Sequence, residues 1–211
     1  ANVPVIFLAQ SKNQIMPIEV EKKYRLNQKQ RQAIERRMRD RSLSPSELEH
    51  EENTIYRGGR LNLGGCALRL RRVNGLAILT FKRRLPSKSA IKYQQEEEVN
   101  VGNPDAMAAI LDSLGFQPAL VYEKRRTRWK VDNAKVVIDE LPFGLFMEIE
   151  APAKKIKRVE KLLEADSLPA VIETYPTLTA RFGKDRKGVI EARFVSEARP
   201  SGRARKKPNR R

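Results

Sequence analysis

Glu19, Glu21 and Lys23 stand at every second position of the segment MPIEVEKKYRL, residues 16–26. Side chains two apart in a strand share a face, so two carboxylates and an ammonium form a row, while Ile18, Val20 and Tyr24 mostly face the other way. Similar rows recur downstream. Arg69 and Arg71 alternate with Leu68 and Leu70, and Lys82 and Thr80 alternate with Leu79 and Phe81. Glu96 and Glu98 share a face, as do Lys124 and Arg126; Glu148 and Glu150 alternate with Met147 and Ile149, and Asp139 closes the preceding strand. Arg and Lys hold phosphate oxygens, whereas carboxylates hold hard divalent ions such as Mg²⁺ or Mn²⁺.

Any one such row reads most simply as the wet face of an open antiparallel sheet, with cross-strand charge pairs contributing tenths of a kcal/mol. Rows on most strands admit a sharper reading, in which the sheet closes into a barrel. Its inside would be a charged, water-filled tunnel and helices would cover its apolar outside. Uncompensated buried ions cost several kcal/mol each, so a tunnel of this kind calls for a ligand that uses both signs of charge. A polyphosphate carrying divalent cations meets that requirement.

The elements that would position these rows can be traced along the chain. NQKQRQAIERRMRDR has a thin apolar stripe of Ala33, Ile34 and Met38 and predicts a surface helix. SLSPSELEHEEN, residues 42–53, reads as a loop with polar breaks. CALRLRR and LAILTFKRR flank Asn74-Gly75, a strong hairpin signal, and IKYQQEEEVNV reads as a further strand. NPDAMAAILDSLG predicts a helix capped by Asn103, opened by Pro104 and ended at Gly115. A second hairpin turns at Asp132-Asn133, the segment 142–144 turns into LFMEIE, and AKKIKRVEKLLEAD predicts a basic helix. The order is that of an α+β domain with about seven or eight mainly antiparallel strands.

Composition bounds the rest. The 211 residues, 40% hydrophobic and 33% charged, suit one substantial domain rather than two. A single cysteine, Cys66, excludes an internal disulfide and a multi-cysteine metal cluster, and a single histidine, His50, disfavours histidine-centred chemistry. No apolar run approaches a membrane span and ANVPVIFLAQ lacks the basic start of a secretory signal, so a soluble, cytoplasmic protein without a membrane partner is expected. Residues 1–15 read as an irregular extension, 16–195 as the domain, and 196–211 as a basic disordered tail. The net charge is +17; the tail carries seven Lys/Arg against one Glu, which leaves +11 for the rest and predicts a polyanionic ligand.

Glu19-x-Glu21-x-Lys23 resembles the ExExK signature of the CYTH superfamily, the triphosphate tunnel metalloenzymes, which include class IV adenylyl cyclases, thiamine triphosphatases and inorganic tripolyphosphatases. The later motifs arrive in the family order: ALRLRR, LTFKRR, EEEVNV, YEKRRTRW and VVIDELPFGLFMEIE. The resemblance implies an eight-stranded antiparallel barrel holding a linear triphosphate. It implies metal ligation by Glu19, Glu21, Glu148 and Glu150, with Mg²⁺ or Mn²⁺, two ions during catalysis. Phosphate binding would fall to Lys23, Arg69, Arg71, Lys82, Lys124 and Arg126. Glu98 and Asp139, with Glu96 or, by a one-residue shift, Glu97, would complete metal or water positioning, and Lys23 would assist the nucleophile or the leaving group.

The reaction implied first is metal-dependent hydrolysis of a triphosphate. Cyclisation of ATP is the alternative, lowered because the His-Phe pair expected of class IV cyclases falls on Asn13 and Gln14. A polyphosphate or nucleic-acid binder without catalysis is the second, drawing on the basic tail and the basic helix. Trp129 and Phe146 read as packing or rim residues, Cys66 as a small apolar filler, His50 as an exposed loop residue and Asp105 as a favourable first-turn charge.

Overall fold

The computed structural model describes residues 18–195; the extension at 1–15, with Asn13 and Gln14, and the basic tail at 196–211 lie outside the described residues. In chain order the elements are β1 (Ile18–Leu26), α1 (Gln28–Arg39), β2 (Glu49–Arg57), β3 (Cys66–Val73), β4 (Leu76–Leu85), β5 (Lys92–Val101), α2 (Pro104–Ser113), β6 (Gln117–Val131), β7 (Ala134–Leu141) and β8 (Gly144–Glu150). α3 (Ala153–Leu162), α4 (Tyr175–Phe182), β9 (Lys184–Arg186) and β10 (Val189–Ala192) follow.

Eight strands run in the order β2-β3-β4-β5-β1-β8-β7-β6, and pairing of β2 with β6 closes them into an antiparallel barrel. The short β10 adds to β6 in parallel and β9 pairs antiparallel with β10. The two hairpins fall where the sequence placed them: Asn74 and Gly75, and then Asp132 and Asn133, all have positive φ, the conformation that tight two-residue turns require. The loop expected over 42–53 is shorter than its composition suggested, because Glu49–Asn53 already belong to β2.

The apolar side of the sheet points outward and the helices cover it. α1 lays Ile34 and Met38, and α3 lays Ile156 and Val159, against Tyr24, Trp129, Ile138, Met147 and Ile149. α2 covers Leu70 and Ala77 through Leu111, whereas α4 packs Tyr175 and Leu178 on Ile55, Tyr122 and Phe146, which face inward at one end of the barrel, on the same sides of their strands as the charged rows. α1 is opened by a capping box of Asn27 and Gln30, and α2 by the Asn103 side chain, which accepts from two backbone N–H groups. Trp129 and Phe146 are thus packing residues. Among the described residues no helix is long and apolar enough to cross a membrane.

Candidate functional site

With apolar side chains turned outward, the alternating charged rows converge inside the barrel. A cavity of about 580 Å³ is lined by Glu19, Glu21 and Lys23 of β1, Arg69 and Arg71 of β3, Lys82 of β4, Glu96 and Glu98 of β5, Lys124 and Arg126 of β6, and Glu148 and Glu150 of β8. Asp139 is fully buried behind that lining. The register within β5 is settled: Glu96 faces Lys82 and Glu98 faces Thr80, while Glu97 pairs with Phe81 on the outer, exposed side.

Register explains how the carboxylates meet. Glu21 lies opposite Glu150 and Lys23 opposite Glu148 across β1 and β8. One oxygen each of Glu19, Glu21 and Glu150 falls within 4.8 Å of the others. Like charges facing each other across strands repel, and each of these three is steadied by a cation. Lys82 donates to Glu19 at 2.7 Å, Lys92 to Glu21 at 3.2 Å and Lys135 to Glu150 at 2.7 Å. Burial first, then the neighbouring Glu19 and Glu148 charges, raise the Glu150 carboxyl above the usual range against the pull of Lys135. Burial and a shared hydrogen bond with Glu19 push Glu96 up to about 7, although Lys82 opposes this. Glu19 stays below its usual range because Lys82 and that hydrogen bond outweigh its own burial.

Glu148 lies outside this trio. Its oxygens sit 3.2 Å from Lys23 Nζ and 2.9 Å from an Arg126 nitrogen, and against a large burial penalty Lys23 and Arg126 hold it far below the carboxylate range. Lys23 is also buried, 3.7 Å from the centroid of the Tyr175 ring, and donates to the Glu173 carbonyl. Arg126 makes a fork on Asp139 at 2.7 and 2.6 Å, and the Tyr175 hydroxyl donates to the same carboxylate at 2.8 Å. Glu98 accepts from Thr80 at 2.8 Å and Arg71 at 3.0 Å, with Arg69 at 3.4 Å.

Apart from Glu97 on the outer face, the charged site residues singled out from the sequence line or adjoin one cavity; Glu96 lies beside Glu19 and Lys82, and the rest fall into three groups. Glu19, Glu21 and Glu150 form an oxygen cluster; Lys23, Arg69, Arg71, Lys82, Lys124 and Arg126 form the cationic walls; and Glu98, Asp139 and Glu148 sit among those cations. The cluster offers only carboxylate oxygens, the donor set of a hard divalent ion.

The sequence matches the CYTH domain model over residues 17–175. This chain belongs to the CYTH family. No curated protein matches it. Among solved structures, the CYTH chain is similar to the PH1012 protein of Pyrococcus horikoshii OT3, at 23% identity and a TM-score of 0.66, covering 76% of this chain and 98% of that one. It is also similar to a Hippeastrum protein named as a candidate adenylyl cyclase and described as having a dominant triphosphatase activity. Identity there is 18%, TM-score 0.60, and coverage 82% of this chain and 99% of that one. A chain of the Schizosaccharomyces pombe Mediator head module shares the fold at 11% identity and a TM-score of 0.60, covering 73% of this chain and 98% of that one. The barrel alone therefore does not specify a reaction; the charges inside it must.

The CYTH barrel also holds residues that the sequence reading passed over. Glu51 of β2 is almost fully buried, 3.3 Å from Lys124 and within 4 Å of Arg71, Arg126 and Arg128. Burial works against its charge, yet Lys124, Arg126 and Arg71 hold its carboxyl at about 2. Lys92 and Gln94 continue the row of Glu96 and Glu98, a spacing visible in the sequence. Tyr122 and Tyr175 close the cavity's other end, where α4 meets the barrel.

Proposed function

We propose that the protein is a divalent-metal-dependent hydrolase of a linear triphosphate, inorganic or carried by a small organic group, held in the barrel cavity. The observation that carries this reading is the balance of charge: cations and carboxylates inside the barrel meet nearly one for one, each in contact with the other kind. A bare polyanion would leave the carboxylates facing phosphate oxygens, and a bare divalent ion would leave the cations crowded. A metal–polyphosphate complex brings both charges and preserves the balance.

Glu19, Glu21 and Glu150 fit Mg²⁺ or Mn²⁺ by donor type and mutual approach, with Glu148 next along the same strand. When bound, such an ion supplies Lewis-acid activation of phosphate or water. The protein's own groups supply positioning. Arg69, Arg71 and Arg126 present forked donors, and Lys82 and Lys124 point charges, to non-bridging phosphate oxygens. Lys23, pinned between Glu148 and the Tyr175 ring, stabilises charge developing on the oxygen that leaves. Glu98 and Asp139 orient the arginines they bind rather than meeting the substrate.

The test is release of phosphate and pyrophosphate from tripolyphosphate with Mg²⁺ or Mn²⁺, run beside ATP with analysis for cyclic AMP. Metal-dependent release is expected, falling roughly 10²-fold or more in Glu21→Gln, because a weakened metal site would lose the Lewis acid that offsets transition-state charge. Cyclic AMP and pyrophosphate from ATP would replace the hydrolase with a cyclase; thiamine triphosphate is run beside them, and absence of turnover on all three would overturn the hydrolase in favour of a polyanion binder.

A further inference from the structure

Outside the barrel, α3 carries a feature that triphosphate chemistry does not use. Its inner face is apolar, with Ile156, Val159 and Leu163 fully buried. The single acid of the helix, Glu160, is also turned inward, where Lys22 at 2.5 Å and the Tyr24 hydroxyl at 2.6 Å bind it. What remains outward is cationic: Lys154, Lys157, Arg158 and Lys161 are all exposed. Lys157, Arg158 and Lys161 line a shallow hollow with Arg41, just beyond the end of α1, and Leu162. Arg158 has a partner in Asp132 at 3.1 Å; among the described residues no carboxylate is in ion-pair contact with Arg41, Lys157 or Lys161.

The helix's own electrostatics do not account for this face. Cations are favoured at a helix C-terminus, which suits Lys161, but disfavoured in the first turn. There α3 has Lys154 and Lys155 and no acidic residue. We propose that the outer face of α3, with the adjoining end of α1, binds the sugar–phosphate backbone of nucleic acid without regard to sequence. Exposed cations contribute little singly, so an extended polyanion that many of them touch at once, releasing counterions, is the ligand such a face suits. Insertion into a membrane would need the apolar side of the helix, which the core occupies. Docking of an acidic protein would need apolar or aromatic anchors, and the hollow offers only Leu162. The lack of exposed aromatic rings in the hollow likewise favours contact with phosphates over stacking on bases.

The test is fluorescence anisotropy of a labelled duplex DNA of arbitrary sequence with the full-length chain across a salt series. Phosphatidylserine vesicles are run in parallel. Each phosphate contact contributes about 0.9 to the slope of log affinity against log salt. The Lys157→Ala/Lys161→Ala variant is expected to lower the magnitude of that slope by about 2, and adding Lys154→Ala by about one more. The basic tail contributes equally in every protein, so the difference isolates the helix face. Unchanged melting and unchanged tripolyphosphate turnover in the variants exclude misfolding. An unaltered slope overturns the assignment, as does loss of vesicle binding with duplex affinity intact, which would make the face a membrane surface.

Discussion

Glu51 shows how much one carboxylate contributes to a cationic cavity. Without it Lys124, Arg71 and Arg126 would share the remaining acids, and removing one partner from a buried ion cluster costs about 3–5 kcal/mol. Glu51→Gln is therefore expected to lower the unfolding free energy by about 3–5 kcal/mol, measured by urea unfolding, with tripolyphosphate recovering part of the loss. Lys124, fully enclosed, titrates at about 8, because burial and then the Arg126 charge outweigh the attraction of Asp139 and Glu51. Below pH 8 the ammonium is charged and available to a phosphate. Between about 8 and the usual 10.5 it is neutral in the free protein and must take up a proton when the polyanion binds. Affinity for tripolyphosphate is thus expected to fall above pH 8 by up to tenfold per pH unit, with proton uptake detectable by calorimetry in buffers of different ionisation enthalpy. In Lys124→Gln this limb disappears; a limb that persists would assign it to another group.

At the scale of elements, a side-chain hydrogen bond from the Tyr175 hydroxyl to Asp139 ties α4 to the barrel, beside the Lys23 ammonium over the same ring and the rings of Tyr122 and Phe146. A hydrogen bond to a charged group contributes about 1.5–3 kcal/mol, so Tyr175→Phe is expected to lower the thermal midpoint and speed amide exchange across α4 while leaving exchange in α2 unchanged. The same elements show what the sequence made legible. Strands with one apolar face, such as β3 and β8, announce themselves by period-two alternation, and the hairpin turns and the ends of α2 carry their own signals. β2 does not, for a physical reason. Its inner residues Glu51 and Asn53 face the charged interior, and its outer residue His50 faces water. With polar groups on both sides, Glu49–Asn53 look like a loop, and Glu51 was missed with them. The short β9 and β10 and the eight-residue α4 have too few residues to establish a period. The register of β5 became fixed only by its pairing with β4.

Among the described residues, the sheet encloses ions, keeps two apolar cores outside under α1, α2 and α3, and closes one barrel end with a third beneath α4, so stability and ligand binding respond to the same charges. Two sets of carboxylates oppose each other as pH changes. Glu51, Glu148 and Glu98 lie below the usual range; their stabilisation is present above about pH 4.5 and is lost as pH falls through their folded values. Glu96, at about 7, and Glu150 lie above it; the folded state holds their protons more tightly, so their contribution declines as pH rises from 4.5 towards 7. The raised pair adjoins or belongs to the oxygen cluster proposed for the metal. A divalent ion requires deprotonated ligands and so competes with those protons. The increase in thermal midpoint produced by Mn²⁺ or Mg²⁺ is therefore expected to be small at pH 5.5, to grow through pH 7.5, and to be largely lost in Glu150→Gln. A shift that is independent of pH, or equal in that variant, would place the ion away from Glu19, Glu21 and Glu150. The cavity's cations would then face a polyanion with no metal between, and its carboxylates would be left opposite phosphate oxygens, which rules out a bound metal–triphosphate complex.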